Sequence, residues 1–476
     1  MEARGPVLPE APPEAPAFWT LDRVADAVRS LATSPPPRGT HRPGRISSDS
    51  RYIQRGDVFV ALTGERFDGH EFLRDAVAAG AAAVVVSRPE AAAGLGVPAY
   101  VVRETRAALG ALGRYRRRAW NGPVIGVVGT NGKTSTKELL RAALESRLEV
   151  HATHLNFNNL VGVPQTLLGI PDHADVAVVE MGTNQPGEIA TLRDIVEPTV
   201  VVVTSIAEEH LEGLGDLAGV MREEMAACDG AAVAIVPASQ DDVVAEARKR
   251  ATRVVAAGLD SGDVRASAWS LDLEGRGILT VRGVEIAVPI RGVHNLRNAM
   301  LALATADEIG VTLEDAARGI AAIGAPPMRS NVERLGGSGD VLLINDAYNS
   351  NPGSARAAIE LLMHAGGTGA RGRQRVAVLG TMLELGPSAP GLHDEIARAA
   401  LDSGVDLVAG VGEFASALER VGAPADRWVA APDAEAVWPQ LASRLRAGAI
   451  ILLKGSRGVR LERLVPFVTE WARGAP

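Results

Sequence analysis

Residues 126–135 read GVVGTNGKTS. The apolar run V-I-G-V-V-G leads into this stretch, and K-T-S-T-K-E-L-L-R-A-A-L-E-S-R-L leaves it, with Leu139, Leu140, Ala143 and Leu144 on one helical face. A glycine-rich turn from strand to helix lets backbone N–H groups converge on phosphate oxygens. The lysine neutralises charge there, and the next hydroxyl reaches a magnesium ion. The usual phosphate loop, G-x-x-x-x-G-K-[ST], wants a glycine five residues before Gly132. This chain has Val127 there and offers Gly126 and Gly129 instead. Strand, loop, Gly-Lys-Thr and helix still coincide, which favours a nucleotide site over a turn with an incidental lysine. Its candidate ligands are Gly129, Thr130, Asn131, Gly132, Lys133, Thr134 and Ser135.

Outward from the loop the alternation is regular. A-D-V-A-V-V-E-M-G and T-V-V-V-V-T-S-I are continuous apolar runs of strand length, as expected of strands buried on both faces. Helical segments separate them, as a parallel doubly wound sheet requires. Upstream, Leu21, Val24, Val28 and Leu31 predict a helix within Trp19–Leu31, and D-V-F-V-A-L, A-A-A-V-V-V-S and A-Y-V-V-R read as short strands. Residues 264–290 alternate with Gly turns and predict an antiparallel insertion. Beyond residue 325, V-L-L-I-N-D-A-Y, R-V-A-V-L-G-T, D-L-V-A-G-V-G and A-I-I-L-L-K-G-S each precede a helical pattern. The expected fold class is α/β in three domains. A flexible tail, 1–17, precedes a small N-terminal α/β domain at 18–120. A central P-loop parallel-sheet ATPase domain follows at 121–325, and a C-terminal Rossmann-like α/β domain at 326–476. The paired prolines within 323–328 mark a hinge.

The bulk properties narrow the function. The chain has 476 residues and a net charge of −8, a mildly acidic balance that argues against nucleic-acid binding as its main task. One cysteine, Cys228, allows no intramolecular disulfide and suits a reducing cytoplasm. The first residues lack a secretory pattern, and no apolar run approaches the roughly 18 residues of a membrane span. A soluble cytoplasmic monomer is expected.

Glu180 ends the strand after the loop helix, where a P-loop enzyme places a carboxylate for magnesium, directly or through water. The bland alternative is a salt-bridged structural glutamate. His210, in A-E-E-H-L-E-G, follows the third strand in a similar position. A guanine-nucleotide enzyme would need N-K-x-D, and no Asn-Lys pair occurs. A dinucleotide site would need G-x-G-x-x-G, and the G-V-G at 410–412 continues as E-F-A. ATP chemistry on a small substrate remains.

G-T-N-G-K-T-S-T-K-E, H-L-N-F-N-N-L-V-G-V-P, V-V-E-M-G-T-N-Q-P-G-E-I, H-L-E-G-L-G-D-L-A-G-V, H-N-L-R-N-A-M-L-A-L-A, I-N-D-A-Y-N-S-N-P and K-G-S-R-G-V-R-L-E occur in this order. The set resembles the Mur ligases, ATP-dependent amide-forming enzymes of peptidoglycan precursor synthesis, whose loop is G-T-N-G-K-[ST]. The D-A-Y-N-S-N-P and K-G-S-R-G forms look most like the member that adds D-alanyl-D-alanine to UDP-N-acetylmuramoyl-tripeptide. The resemblance implies that ATP phosphorylates the terminal carboxylate of the tripeptide and that the dipeptide amine attacks the acyl phosphate. It implies ATP and Mg²⁺ as cofactors, with Lys133 and Thr134 on the phosphates, Glu180 on the metal and His210 on a second one. Asn295 matches a residue near adenine, and its bland reading is a helix cap. Arg329 and Asp346 match residues that close on ATP, and Asn158 and Asn159 match positions near substrate and phosphates. Ser50, Arg51, Thr63, Glu65 and Arg66 match the uridine-nucleotide domain. Tyr348 and Asn349 match substrate positions or shape a turn, while Lys454, Ser456 and Arg457 stand where a peptide carboxylate arrives.

Two departures stand out. Many relatives carry a lysine, modified by CO₂, in the helix after His210; here G-V-M-R-E-E-M-A offers Glu223 and Glu224 instead. The expectation is that Glu224 supplies that carboxylate as a metal ligand, against the alternative of an exposed acidic face. In V-L-G-T-M-L-E-L-G, Thr381 replaces a common aspartate. The rival functions are a related ligase adding a diamino acid, a folylpolyglutamate-type ligase, and a non-catalytic nucleotide-binding protein. No D-N-P-R stretch for a diamino acid occurs.

Overall fold

A computed structural model describes residues 18–64, 67–272, 274–324, 328, 331–336, 341–365 and 372–474. The expected tail at 1–17, the candidates Glu65, Arg66 and Arg329, and the hinge prolines Pro326 and Pro327 lie outside the described residues. The chain divides into two compact units.

The first unit comprises the described part of Met1–Gly122 with Leu160–Ala174 and Asp194–Glu197. Its four-stranded parallel sheet runs β1 (Ile46–Ser47), β2 (Val58–Val60), β3 (Ala83–Val86) and β4 (Ala99–Val101) in chain order. The N-terminal helix is Leu21–Val28, shorter than the apolar spacing predicts. The chain turns at Arg29 and bridges Ala32 to Val102, which takes Leu31 out of the helix. Trp19, Val24, Val28, Leu109 and Leu112 pack with Val58, Val60 and Tyr100 in one core. The helix Thr105–Trp120 ends at Asn121, whose φ of 57° is left-handed. The short helix Gly162–Leu168 belongs to this unit: a Cβ at Gly113 would lie 2.9 Å from Pro164 Cα. Arg117 donates to Val196 O at 2.9 Å, and Trp120 to Ala174 O at 3.2 Å.

The second unit comprises Pro123–Asn159, Asp175–Arg193 and Pro198–Pro476 as far as these are described. Its larger sheet is parallel throughout: β5 (Val124–Val128), β6 (Val150–Ala152), β7 (Val176–Glu180), β8 (Val200–Val203), β9 (Val233–Pro237), β10 (Arg253–Gly258) and β11 (Val264–Arg265), in the order β11-β10-β9-β8-β5-β7-β6. The strands are nearly all Val, Ala and Ile because helices cover both faces. The antiparallel sheet β12 (Ala268–Leu271), β13 (Arg276–Val281) and β14 (Val284–Arg291) matches the expected insertion, except that residues 264–265 join the large sheet as its edge. Helices Lys133–Glu145 and Val293–Glu308 bury Leu139, Leu140, Leu144, Leu296 and Met300 in the shared core.

The last sheet orders β15 (Asn331–Leu335), β16 (Val341–Asp346), β20 (Ile450–Lys454), β17 (Arg375–Gly380), β18 (Leu407–Val411) and β19 (Trp428–Ala431). Only β15 is antiparallel to its neighbour. It has its own core of Val, Leu, Ile and Ala side chains.

Candidate active site

In the large sheet β5 lies between β8 and β7, so the connections leave in opposite directions and open a crevice at the carboxyl ends. Three of the expected groups lie there: the glycine loop after β5, Glu180 at the end of β7 and His210 after β8. The loop needs its glycines where they stand. Gly129 has φ of +115°, and a Cβ there would lie 2.5 Å from Thr204 Oγ1 and 2.8 Å from Ser205 O. Gly132 has φ of +86°, and a Cβ would lie 2.6 Å from Asn298 Oδ1. Gly129 thus packs against the segment after β8, and Gly132, the glycine the usual pattern also has, against helix Val293–Glu308. Backbone bonds fix the loop: Thr130 N–H donates to Ser205 O at 2.7 Å, and Ala207 N–H to Thr130 Oγ1 at 3.0 Å. Helix Lys133–Glu145 starts at Gly132 with no side chain capping it, so its first-turn N–H groups and dipole face the crevice.

The Lys133 ammonium is drawn back over the loop. It donates to Gly129 O and to Thr130 O, the latter at 3.2 Å, and lies 3.8 Å from Glu209 Oε2. Thr134 Oγ1 donates to Glu180 Oε1 at 3.3 Å, and Asn158 Nδ2 donates to the same oxygen at 2.8 Å. Glu180 is 1% exposed, and its other oxygen, Oε2, is buried without a hydrogen-bond partner. The Lys137 ammonium lies 4.0 Å from this oxygen, too far for a hydrogen bond, so its lone pairs stay open to a metal cation. Magnesium therefore fits here, with Thr134 Oγ1 beside the same carboxylate. Among the described residues no group of three or more His, Cys, Asp or Glu side chains is placed to hold a metal ion by itself.

The two helix glutamates take different places. Glu223 accepts from Gly187 N–H at 2.7 Å, from Ile189 N–H at 2.8 Å and from the Thr183 hydroxyl at 3.2 Å, so it anchors the helix Glu188–Val196. Glu224 turns to the site instead, accepting from Gly129 N–H at 2.8 Å. Both are buried, which corrects the reading of an exposed acidic face. Burial pushes the Glu224 carboxyl above its ordinary value, against the pull of Lys133 and the Gly129 N–H.

His210, at a left-handed φ of 53°, bonds Glu384 through Nδ1. Burial works to lower its pKa, but the Glu384 bond and the field of Glu209 outweigh this and raise it. The His210 bond holds Glu384 correspondingly low. Other bonds join the two sheets' loops: Asn351 Nδ2 to Asn131 Oδ1 at 2.8 Å, Asn349 Nδ2 to Glu209 Oε1 at 3.1 Å, and Glu212 N–H to Glu384 O at 3.1 Å.

Other candidates take less direct places. Asn295 is not the helix cap; Gly292 is. Its Nδ2 donates to Arg291 O at 2.8 Å and its Oδ1 accepts from Asn298 at 3.0 Å, which links it to the residue that abuts Gly132. Asp346 and Lys454 are register partners at the ends of β16 and β20, with Nζ 2.8 Å from Oδ2. Lys454 also donates to Asn349 O at 2.8 Å and is 4% exposed, which ties Asp346 to the turn at 347–351. Ser456 is buried the same way, accepting from Leu383 N–H at 3.0 Å, whereas Arg457 is exposed. Asn159 is exposed, and Tyr348 is half-buried in the turn after β16. Thr381 Oγ1 accepts from Glu413 N–H at 3.0 Å, a structural use. In the first unit, Ser50 and Arg51 lie in a short 3₁₀ turn, with Arg51 paired to Asp49 at 2.6 Å and stacked 5.6 Å from the Tyr52 ring. Thr63 bridges to Asp68. Exposed Tyr52 and Phe67 flank these positions in sequence.

Sequence reading missed Glu209, Lys137, Asn351 and Glu384. Glu209 adjoins His210, and Asn351 stands before Pro352 as a helix cap of familiar type. Lys137 lies four residues after Lys133, on the face of Leu140 and Leu144. Glu384 carried no signal.

Known proteins resemble this chain in sequence and in fold. The Mur ligase family catalytic-domain model matches residues 44–154, the Mur ligase middle-domain model 127–306, and the Mur ligase glutamate-ligase-domain model 332–457. A UDP-N-acetylmuramoyl-tripeptide–D-alanyl-D-alanine ligase from Bacillus subtilis (strain 168) is 32% identical over 459 residues, covering 95% of this chain and 98% of that one. A crystal structure of MurF from Acinetobacter baumannii superposes with a TM-score of 0.85 at 31% identity, covering 95% of this chain and 99% of that one. MurF from Thermotoga maritima in complex with ADP superposes with a TM-score of 0.79 at 27% identity, covering 90% and 97%. This chain belongs to the Mur ligase family.

Proposed function

We propose that this protein joins D-alanyl-D-alanine to the terminal carboxylate of UDP-N-acetylmuramoyl-tripeptide, using ATP and passing through an acyl phosphate, in peptidoglycan precursor synthesis. One observation carries the reading. The Gly129–Lys133 loop, Thr134 and an incompletely bonded Glu180 meet at the sheet's switch point, in a chain that aligns with 98% of the length of the Bacillus subtilis relative. A carboxylate is a poor electrophile, and phosphorylation turns one of its oxygens into a leaving group. Transfer of the γ-phosphoryl between two anions requires cations and fixed dipoles more than covalent help.

In this reading the first-turn N–H groups of helix Lys133–Glu145 hold the phosphates. Lys133 swings from the loop carbonyls onto them. Thr134 and Glu180 hold Mg²⁺, and His210 with Glu224 serves a second ion. When bound, the metal neutralises phosphate charge and polarises the transferred group. Asn158 keeps Glu180 in place. Asn295 with Asn298 shapes the floor beneath Gly132, toward the adenine side. Asp346, held by Lys454, and Arg329 serve the nucleotide from the last domain, while Asn159, Tyr348, Asn349, Ser456 and Arg457 line or support the acceptor side. Ser50, Arg51, Thr63, Glu65 and Arg66 take the uridine nucleotide. Domain limits near residues 120 and 325, a cytoplasmic location and a monomeric state complete the proposal. Among the described residues no helix is long and apolar enough to cross a membrane.

The test is phosphate release from Mg²⁺-ATP. It should require the muramoyl tripeptide and D-alanyl-D-alanine together. Turnover only with the muramoyl dipeptide and a diamino acid would move the chain to the tripeptide-forming class, and ATP binding without any turnover would leave a non-catalytic binder.

A further inference from the structure

Lys137 is fully buried, and nothing in the reaction described above uses it. It projects from the helix that follows the phosphate loop, one turn beyond Lys133. Its ammonium donates to Thr153 O at 2.8 Å and to Leu155 O at 3.3 Å, and lies 3.0 Å from Glu138 Oε1. Burial acts to raise the Glu138 carboxyl, yet Lys137 and Arg141 hold it below its ordinary value. The same ammonium lies 4.0 Å from Glu180 Oε2, the buried oxygen that accepts no hydrogen bond.

That distance is beyond hydrogen-bond reach but well within Coulombic reach. Lys137 thus supplies counter-charge to Glu180 while leaving its lone pairs open. Two carbonyls pin the ammonium, so it cannot withdraw when another cation approaches. A free divalent ion at Glu180 would face this fixed charge at close range in a poorly screened interior. A metal arriving with a triphosphate brings its own compensating negative charge.

Building on the magnesium reading above, we propose that Lys137 is a positioning residue that withholds Glu180 from free divalent cations, so that the metal enters only together with nucleotide. The consequence is an ordered site: without ATP it stays metal-free, and no ion has to leave before the nucleotide binds.

The experiment titrates Mn²⁺, which accepts the same oxygen ligands, into the full-length protein by electron paramagnetic resonance, with and without a non-hydrolysable ATP analogue. Wild type is expected to bind Mn²⁺ only with the analogue. Lys137→Gln, which can still donate to Thr153 O but carries no charge, is expected to bind Mn²⁺ at least about tenfold more tightly than wild type without nucleotide. Lys137→Met should do the same, and adding Glu180→Gln should abolish the gain. Unchanged nucleotide-free affinity in the folded variants would overturn the proposal. So would wild-type Mn²⁺ binding without nucleotide that Glu180→Gln removes, a result that needs no Lys137 variant. If wild type bound no Mn²⁺ even with the analogue, the magnesium reading itself would fall, and this inference with it.

Discussion

Replacing Glu224 separates the structural and chemical uses of one buried carboxylate. It accepts a bond from Gly129 N–H at 2.8 Å and is 2% exposed. Its folded pKa lies above the unfolded value, so its charge is tolerated at a cost. The sign follows: the fold is favoured while the group is protonated, and that advantage is lost as pH rises through the raised pKa. Glu224→Gln keeps the acceptor and removes the charge. It gives up about 1 kcal/mol by making a neutral bond from a charge-assisted one, and recovers the desolvation cost. At pH 7.5 the variant should be at least as stable as wild type. Glu224→Ala strands the Gly129 N–H and should lose about 1–3 kcal/mol, about 2–6 °C at roughly 2 °C per kcal/mol for a body of this size. Activity should not follow stability. Removing an anion from the metal and phosphate field should weaken the Mg²⁺ response or kcat of Glu224→Gln about 10–100-fold. Thermal melts alongside Mg²⁺ titrations of phosphate release read both arms. Full activity with normal Mg²⁺ dependence in Glu224→Gln would refute the reasoning and reduce Glu224 to a strut for the loop.

Other perturbations probe neighbouring parts. Lys454→Met removes the 2.8 Å ion pair to Asp346, whose own side chain is 15% exposed; urea unfolding should show a loss of about 1–3 kcal/mol. Glu384→Ala removes the His210 partner; its side chain is 53% exposed, so stability should change by less than about 1 kcal/mol while steady-state turnover falls severalfold. Cys228 is buried and its thiol is pushed up to about 12, so a thiol reagent at pH 8 should leave the native protein unmodified and label it only after unfolding.

Much of the fold was written in local pattern. Strands β5, β7 and β8 are runs of Val with few polar interruptions, and burial on both faces is what such runs require. The loop was legible because backbone geometry restricts Gly129 and Gly132 to glycine. What stayed hidden depends on distance in sequence or on helical register. Glu223 and Glu224 point about 100° apart on a helix, and sequence alone could not say which faced the loop. Lys137 runs against the rule that lysines sit outside, because two carbonyls and two carboxylates receive it. Glu384 meets His210 across 174 residues, a contact that only the closing of two sheets' loops creates. The bonds of Lys454 to Asn349 O and of Leu383 N–H to Ser456 likewise join residues far apart in sequence, so no local pattern announces them.

The most direct measurement follows oxygen. With ¹⁸O in the terminal carboxylate of the muramoyl tripeptide, turnover with Mg²⁺-ATP and D-alanyl-D-alanine should place one labelled oxygen in inorganic phosphate, with ADP as coproduct. Label in AMP, or phosphate free of label, would contradict transfer of the γ-phosphoryl to the peptide acid at the Lys133 loop.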